Sequence, residues 1–90
     1  MKGFVKDPDA TLDYGFDWSL WLGTDTIQSS SWTVPSALSI VPGSETADDV
    51  RTSCFISGGV AGEKYIVTNQ IVTVGQRTEE RSFELYVEQR

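Results

Sequence analysis

The last third of the chain carries the pattern that most constrains its fold. In residues 81–88 every second side chain is apolar, and these side chains are Phe83, Leu85 and Val87. Such period-two alternation predicts a half-buried β-strand. Residues 65–74 are dense in β-branched side chains and predict a second strand. The polar segment 75–80 between them begins with a glycine and predicts a hairpin loop.

Shorter segments of the same kind precede this hairpin. Further strands are predicted at residues 4–5, 12–18, 32–34, 38–40 and 50–56. Only residues 18–23 favour a helical turn, which Gly23 would end. About seven short strands separated by turn signals are typical of a β-sandwich or barrel. We therefore predict an all-β chain that forms a single antiparallel β-sandwich domain over residues 1–90.

One tyrosine narrows the choice among sandwiches. Tyr65 follows the glycine-rich segment 57–62 and begins a long strand. In immunoglobulin-like sandwiches a tyrosine at such a corner bonds back to the backbone. We predict an immunoglobulin- or fibronectin-like fold. Its expected core consists of Trp32, Cys54, Ile56, Tyr65, Val67, Phe83, Leu85 and Val87.

Composition excludes several classes of function. The chain has no histidine, which excludes catalysis and metal binding by imidazole, and Cys54 is its only cysteine. Cys54 is expected to be a buried free thiol rather than a nucleophile. The net charge of −6 offers no basic face for nucleic acid. No apolar run spans a membrane or forms a signal peptide, so we expect synthesis in a reducing cytoplasm, no membrane contact, no cofactor and no catalytic residue.

Two clusters of side chains admit functional interpretations. Asp13 and Asp17 could act as a carboxylate pair or bind calcium, but alternation assigns them to the solvent face of a strand. The aromatic residues Tyr14, Phe16 and Trp18 share the opposite face and are expected in the core.

Three residues are candidates for an interface with another protein. Trp21 and Leu22 lie beyond the regular strand. Alternation places the Phe55 side chain on the other face of its strand from Cys54 and Ile56. Exposed aromatic side chains often anchor interfaces. Two alternatives stay open: segment 18–23 folds back and plugs the end of the sandwich, and a twist or a loop covers Phe55.

Several motifs resemble those of short proteins encoded by tailed bacteriophages and prophages. The shared segments are residues 6–14, 17–22, 25–27, 31–34, 57–59, 62–65 and 81–83. The chain departs from the family at residues 54–56, where related chains tend to have Val or Ala and a Trp. Members of this family are described as fibre–tail adaptors or head-associated proteins.

The resemblance implies a non-enzymatic structural subunit of the virion. Such a subunit would bridge or decorate larger virion proteins, in multiple copies within a symmetric assembly. It would be made in the host cytoplasm and located in the particle. The alternative is a carbohydrate-binding module that attaches the particle to the cell surface, in which Trp21 would contact sugar.

Overall fold

The structure is a computed structural model that describes residues 2–89 and the side chains of residues 3–89. Within this range the chain forms strands joined by turns, with one short helix. The elements are β1 (Lys2–Lys6), β2 (Leu12–Asp17), α1 (Ser19–Leu22), β3 (Ile27–Thr33), β4 (Leu38–Ile40), β5 (Thr46–Ala47), β6 (Arg51–Gly58), β7 (Lys64–Thr73) and β8 (Thr78–Val87).

The strands form two sheets that pack as a sandwich. Sheet A has the order β1-β8-β7-β3, in which β1 runs parallel to β8 and the other pairs are antiparallel. Sheet B has the order β2-β6-β4, and β5 pairs with the same edge of β6 as β4 does. The predicted all-β sandwich is confirmed. Its immunoglobulin or fibronectin type stays a prediction.

The β7–β8 hairpin is present, but its loop is shorter than predicted. The ladder continues through Gln70 opposite Glu80 and Val72 opposite Thr78, so β8 begins inside the segment assigned to the loop. The backbone pairing extends over polar side chains here, and the Gln70 amide donates to Glu80 Oε1 at 3.2 Å. Residue polarity therefore overestimated the length of the loop.

Between the sheets lie two apolar clusters. The larger contains most of the predicted core, and its buried members are Tyr14, Trp32, Leu38, Cys54, Ile56, Val67, Phe83 and Leu85. The smaller lies at the α1 end and consists of Trp18, Leu22, Ile27 and Ile71. Every predicted core residue is buried except Phe16 and Tyr65, which are half-buried. The Tyr65 hydroxyl accepts the Val60 N–H at 3.0 Å, the bond to the backbone expected of a corner tyrosine.

Cys54 is a free thiol inside the larger cluster, as predicted. Burial raises its pKa to about 12, because the thiolate would lose its hydration. A thiol with so high a pKa is protonated at neutral pH and is a poor nucleophile.

A buried asparagine joins the two sheets. Asn69 of β7 is completely buried, and its Oδ1 accepts hydrogen bonds from Trp18 Nε1 at 3.1 Å and Thr52 Oγ1 at 2.7 Å. Its Nδ2 donates to Ser30 Oγ and to the Ser31 carbonyl oxygen. Because all of these bonds converge on one amide, Asn69 fixes the position of Trp18 against sheet A.

Candidate interaction surfaces

The outer face of sheet B, here called the B face, carries side chains of β2 and β6. Asp13 lies opposite Phe55, Gly15 opposite Ser53, and Asp17 opposite Arg51. These pairs alternate with buried ones such as Tyr14 opposite Cys54, so their side chains point to solvent. Phe55 is 45% exposed. The structure thus places the Phe55 side chain outward and leaves it partly exposed.

A groove of about 560 Å³ runs across the B face. Residues of β2, β5 and β6 line it, with Gly15 of β2 opposite Ser53 of β6 and Thr46–Asp48 at one side. A side chain at position 15 would collide with the Thr52 carbonyl oxygen and crowd Ser53 Cβ. Only glycine allows β2 and β6 to approach so closely, and its lack of a side chain leaves the groove open.

Acidic groups dominate the lining of this groove. Its ionisable side chains are Asp13, Asp17, Asp48 and Arg51, three carboxylates against one guanidinium. Asp17 accepts the Ser19 N–H at 2.9 Å, and this bond, with the hydroxyl of Ser19 and the charge of Arg51, lowers the pKa of the carboxyl group. The N–H groups of Val50 and Arg51 lower the pKa of Asp48 in the same way. The groove therefore stays negative over the physiological pH range.

The backbone holds Phe55 firmly on this face. Its N–H donates to Ser44 Oγ at 3.1 Å, and its carbonyl oxygen accepts the Val41 N–H at 3.0 Å. Both groups point to the same edge of β6, towards residues 41–44, and Phe55 faces Asp13 of β2 without a backbone hydrogen bond. The backbone that carries the ring is therefore already ordered before a partner covers it.

The outer face of sheet A, here called the A face, carries a different cluster. Val5, Ile66 and Tyr86 are each about two-fifths exposed, and Val5 lies opposite Tyr86 across the β1–β8 ladder. The Tyr86 hydroxyl donates to Glu84 at 2.7 Å, and Lys64 pairs with Glu84 at 3.7 Å. This patch is therefore apolar and balanced in charge, in contrast to the B face.

The third surface is the α1 end of the sandwich. Leu22 is only 3% exposed and packs in the smaller cluster, Trp21 is half-buried, and Leu20 is 99% exposed. The segment folds back onto the open end, the alternative that the sequence left open. Trp18 and Leu22 are four residues apart and share the inner side of the turn, so Leu20 points outward. Leu22 therefore does not present its side chain to a partner.

An arginine fastens α1 to the β7–β8 turn. The Arg77 guanidinium lies 4.2 Å from the centre of the Trp21 ring, and it donates to the Leu22 carbonyl oxygen at 2.9 Å. It also donates to Asp25 Oδ2 at 3.1 Å. These contacts hold Trp21 and Leu20 in a defined position at this end of the molecule.

Sequence patterns had missed the exposure of Leu20. The signal was available in the spacing of Trp18 and Leu22, which fit one side of a helical turn and leave Leu20 on the other. The structure does not bring the three candidate interface residues together: Trp21 and Leu22 lie at the α1 end, whereas Phe55 lies on the B face.

Other kinds of site find little support in the part of the chain that the structure describes. No group of three or more His, Cys, Asp or Glu side chains among these residues is arranged to hold a metal ion. No described helix is long and apolar enough to cross a membrane.

The chain was compared with known proteins and protein families. No curated protein matches the chain. A family model described as podophage GP4 fiber-tail adaptor protein gp77 matches residues 6–86. The match covers most of the chain and includes every strand after β1 almost completely. The chain therefore belongs to the family of podophage GP4 fiber-tail adaptor proteins gp77.

Proposed function

We propose that this chain is a non-enzymatic subunit that bridges larger proteins of the phage particle. Membership of a fibre–tail adaptor family gives the structural role. The observation that carries the bridging role is the presence of different exposed patches on the two outer faces. Phe55 and the acidic groove occupy the B face, and Val5, Ile66 and Tyr86 occupy the A face.

The two faces point in opposite directions, since each sheet turns its other side to the common core. One subunit would therefore contact two proteins at once without moving its sheets. The chemistry of the faces differs, one having an acidic groove beside an aromatic ring and the other an apolar patch beside the Lys64–Glu84 ion pair. This difference favours two different partners over two copies of one partner.

Trp21 and Phe55 remain our proposed anchors, and Leu22 supports Trp21 from inside the smaller cluster. Leu20 joins this proposal, because a fully exposed leucine beside a half-buried tryptophan offers apolar surface to a partner. The partners would be other virion proteins in a symmetric assembly of several copies. A net charge of −6 favours partners that are less acidic than the chain itself.

The composition of purified particles tests this function. Phages that carry a stop codon early in the coding sequence should yield particles that retain the head but lose at least one tail or fibre protein. Wild-type particles should contain the chain in fixed proportion to that protein, measured by quantitative mass spectrometry. Mutant particles of otherwise unchanged composition would contradict a bridging role.

A glycan array separates bridging from attachment to sugar. A carbohydrate-binding module needs an aromatic ring with an open face, and Arg77 covers one face of Trp21 at 4.2 Å. Binding of the purified chain to a glycan array, lost in Trp21→Ala and kept in Phe55→Ala, would support the carbohydrate-binding alternative instead.

A further inference from the structure

The groove on the B face points to the chemistry of one partner. We infer, on the basis of the proposed function, that the B face docks a segment of another virion protein that carries an arginine or lysine. The basic side chain enters the groove between the carboxylates, and an apolar part of the same segment covers Phe55.

The groove is large enough to admit a long side chain, with a volume of about 560 Å³. Gly15 and Ser53 face each other across the β2–β6 ladder and are both small, so they leave this part of the lining open. Gly15 cannot carry a side chain without a collision with the backbone of β6. The opening therefore follows from the approach of β2 and β6 and does not depend on the rotamer of a flexible residue.

The charge of the groove selects a cation. Asp13, Asp17 and Asp48 face a single guanidinium, and Arg51 already lies 3.7 Å from Asp17. Hydrogen bonds from backbone N–H groups fix Asp17 and Asp48 in place. A basic side chain would restore the balance of charge, whereas an acidic segment would be repelled.

The same argument disfavours a second copy of this chain as the occupant. The chain carries 13 acidic and 7 basic residues, and one of the basic residues, Lys6, is completely buried. Its accessible surface is therefore even more acidic than the net charge of −6 indicates. Two such surfaces repel each other, so the occupant is a different, basic protein segment.

Phe55 supplies the apolar half of the contact. It lies opposite Asp13 across the ladder, where Cβ atoms are about 5 Å apart. A guanidinium that reaches Asp13 can therefore lie over the Phe55 ring, and cation–π contact adds to the ion pair. Pairs of aromatic and arginine side chains are frequent at the centres of protein interfaces.

A photo-cross-linking residue at position 55 tests the inference in assembled particles. Benzoylphenylalanine replaces Phe55 in the full chain, and irradiated virions are digested and analysed by mass spectrometry. We expect a cross-link to a partner peptide with an arginine or lysine within about three residues of the attachment point. The matched control places the cross-linker at Ser31, exposed on the edge strand of sheet A, and should not give that peptide.

The outcomes separate this inference from the proposed function. Absence of the chain from virions would overturn the proposed function itself. Presence of the chain with no cross-link at position 55, or with a cross-linked peptide that lacks a basic residue, would overturn only the inference. The same peptide from both positions would show unspecific labelling and would also count against it.

Charge variants give a second, independent measurement. Asp13→Lys should lower incorporation into particles by about tenfold, because it puts a cation where the partner's cation must lie. Asp49→Lys, an equal change of charge at an exposed residue outside the groove, should leave incorporation within about twofold. A reversal of charge at the cross-linked partner residue should restore the incorporation of the Asp13→Lys variant into particles. Equal loss in both variants would mean that net charge, not the groove, is recognised.

Discussion

Lys6 occupies an environment that lysine rarely occupies. Its side chain is completely buried at the end of β1, and its ammonium group donates to the carbonyl oxygens of Gly58 at 2.7 Å, Asp7 at 2.8 Å and Pro8 at 3.5 Å. Burial lowers its pKa, while Asp7 and Asp9 act in the opposite direction. The contact with Gly58 ties the end of β1 in sheet A to the end of β6 in sheet B.

Replacement of this lysine tests its structural role. Lys6→Met keeps an unbranched chain of similar length but removes the donors that three carbonyl oxygens share. We expect the free energy of unfolding to fall by about 2–3 kcal/mol, because acceptors shielded from water lose their partner. Urea denaturation of the purified chain measures this change.

The control for Lys6→Met is Lys64→Met. Lys64 is exposed, its ion pair with Glu84 lies on the surface, and such pairs contribute about 0–1 kcal/mol. Urea denaturation curves with equal midpoints and slopes for Lys6→Met and the wild type would contradict the prediction. They would show that the cost of burying the ammonium group cancels the benefit of its hydrogen bonds.

Residue patterns could not have revealed the roles of Lys6 and Asn69. Alternation reports which side of a strand a residue occupies, and both residues lie on or beside the inner side. It does not report that a distant carbonyl or hydroxyl will satisfy a buried polar group. Gly58, which accepts a hydrogen bond from Lys6, is 52 residues away in the sequence, and Trp18 is 51 residues from Asn69.

At the scale of elements, α1 and the β7–β8 turn form one unit. Asp25 lies between them, and the Thr73 hydroxyl, the N–H groups of Gly75 and Thr26 and the Arg77 guanidinium lower the pKa of its carboxyl group to about 2. The carboxylate therefore prefers the folded chain, in which these donors converge. A short helix of four residues has little stability of its own and depends on such contacts.

Removal of the charge on Asp25 should weaken this unit in a pH-dependent way. The folded pKa of about 2 lies below the ordinary value of 3.8, so the carboxylate stabilises the fold above pH 3.8, and this contribution disappears as the pH falls towards 2. Asp25→Asn should therefore melt several degrees below the wild type at pH 7. The two melting temperatures should converge between about pH 4 and pH 2 in thermal scans followed by circular dichroism.

Asp49→Asn is the control for the Asp25 variant. Asp49 is exposed, and no hydrogen bond to its carboxylate is found among the described residues, so this variant should melt close to the wild type at pH 7. A difference between Asp25→Asn and the wild type that stays constant down to pH 2 would show that the effect of Asn is steric and does not come from the charge.

Long strands were predictable, and among the short elements β4 and the turn of α1 were predicted whereas β5 was not. The β7–β8 hairpin and β6 each have enough residues for a repeating pattern to emerge. β5 has two residues, too few for any period, and it was missed. The position of α1 depends on Arg77 and Asp25, which lie far away in the sequence or in a loop. For the interface candidates, alternation assigned Phe55 to the outer side because it lies in a long strand, whereas it assigned no side to Leu22, which lies beyond the strand.

At the scale of the whole molecule, the sandwich separates an acidic groove on one face from an apolar patch on the other. The core lies between the faces, and the Asn69 hydrogen bonds run from sheet A to Thr52 of sheet B. A substitution on the outer side of one sheet therefore leaves the other face unchanged. This separation lets one small subunit hold two proteins, and it makes the two contacts independent under mutation.

Paired substitutions on the two faces test this independence. Phe55→Ser and Ile66→Ser each remove one large side chain that is 42–45% exposed, on the B face and the A face respectively. If the chain bridges two proteins, each variant should lose one of them from purified particles or from complexes isolated from infected cells, and the lost proteins should differ. We expect the affinity of each variant for its lost partner to fall by at least about tenfold, because an aromatic or aliphatic anchor at an interface contributes about 2 kcal/mol or more.

The control is Ser57→Ala, a small change on the same strand as Phe55, which should retain both partners. Loss of the same protein in both variants, with melting temperatures near that of the wild type, would mean that one partner wraps around the sandwich and that the two faces do not bridge separate proteins.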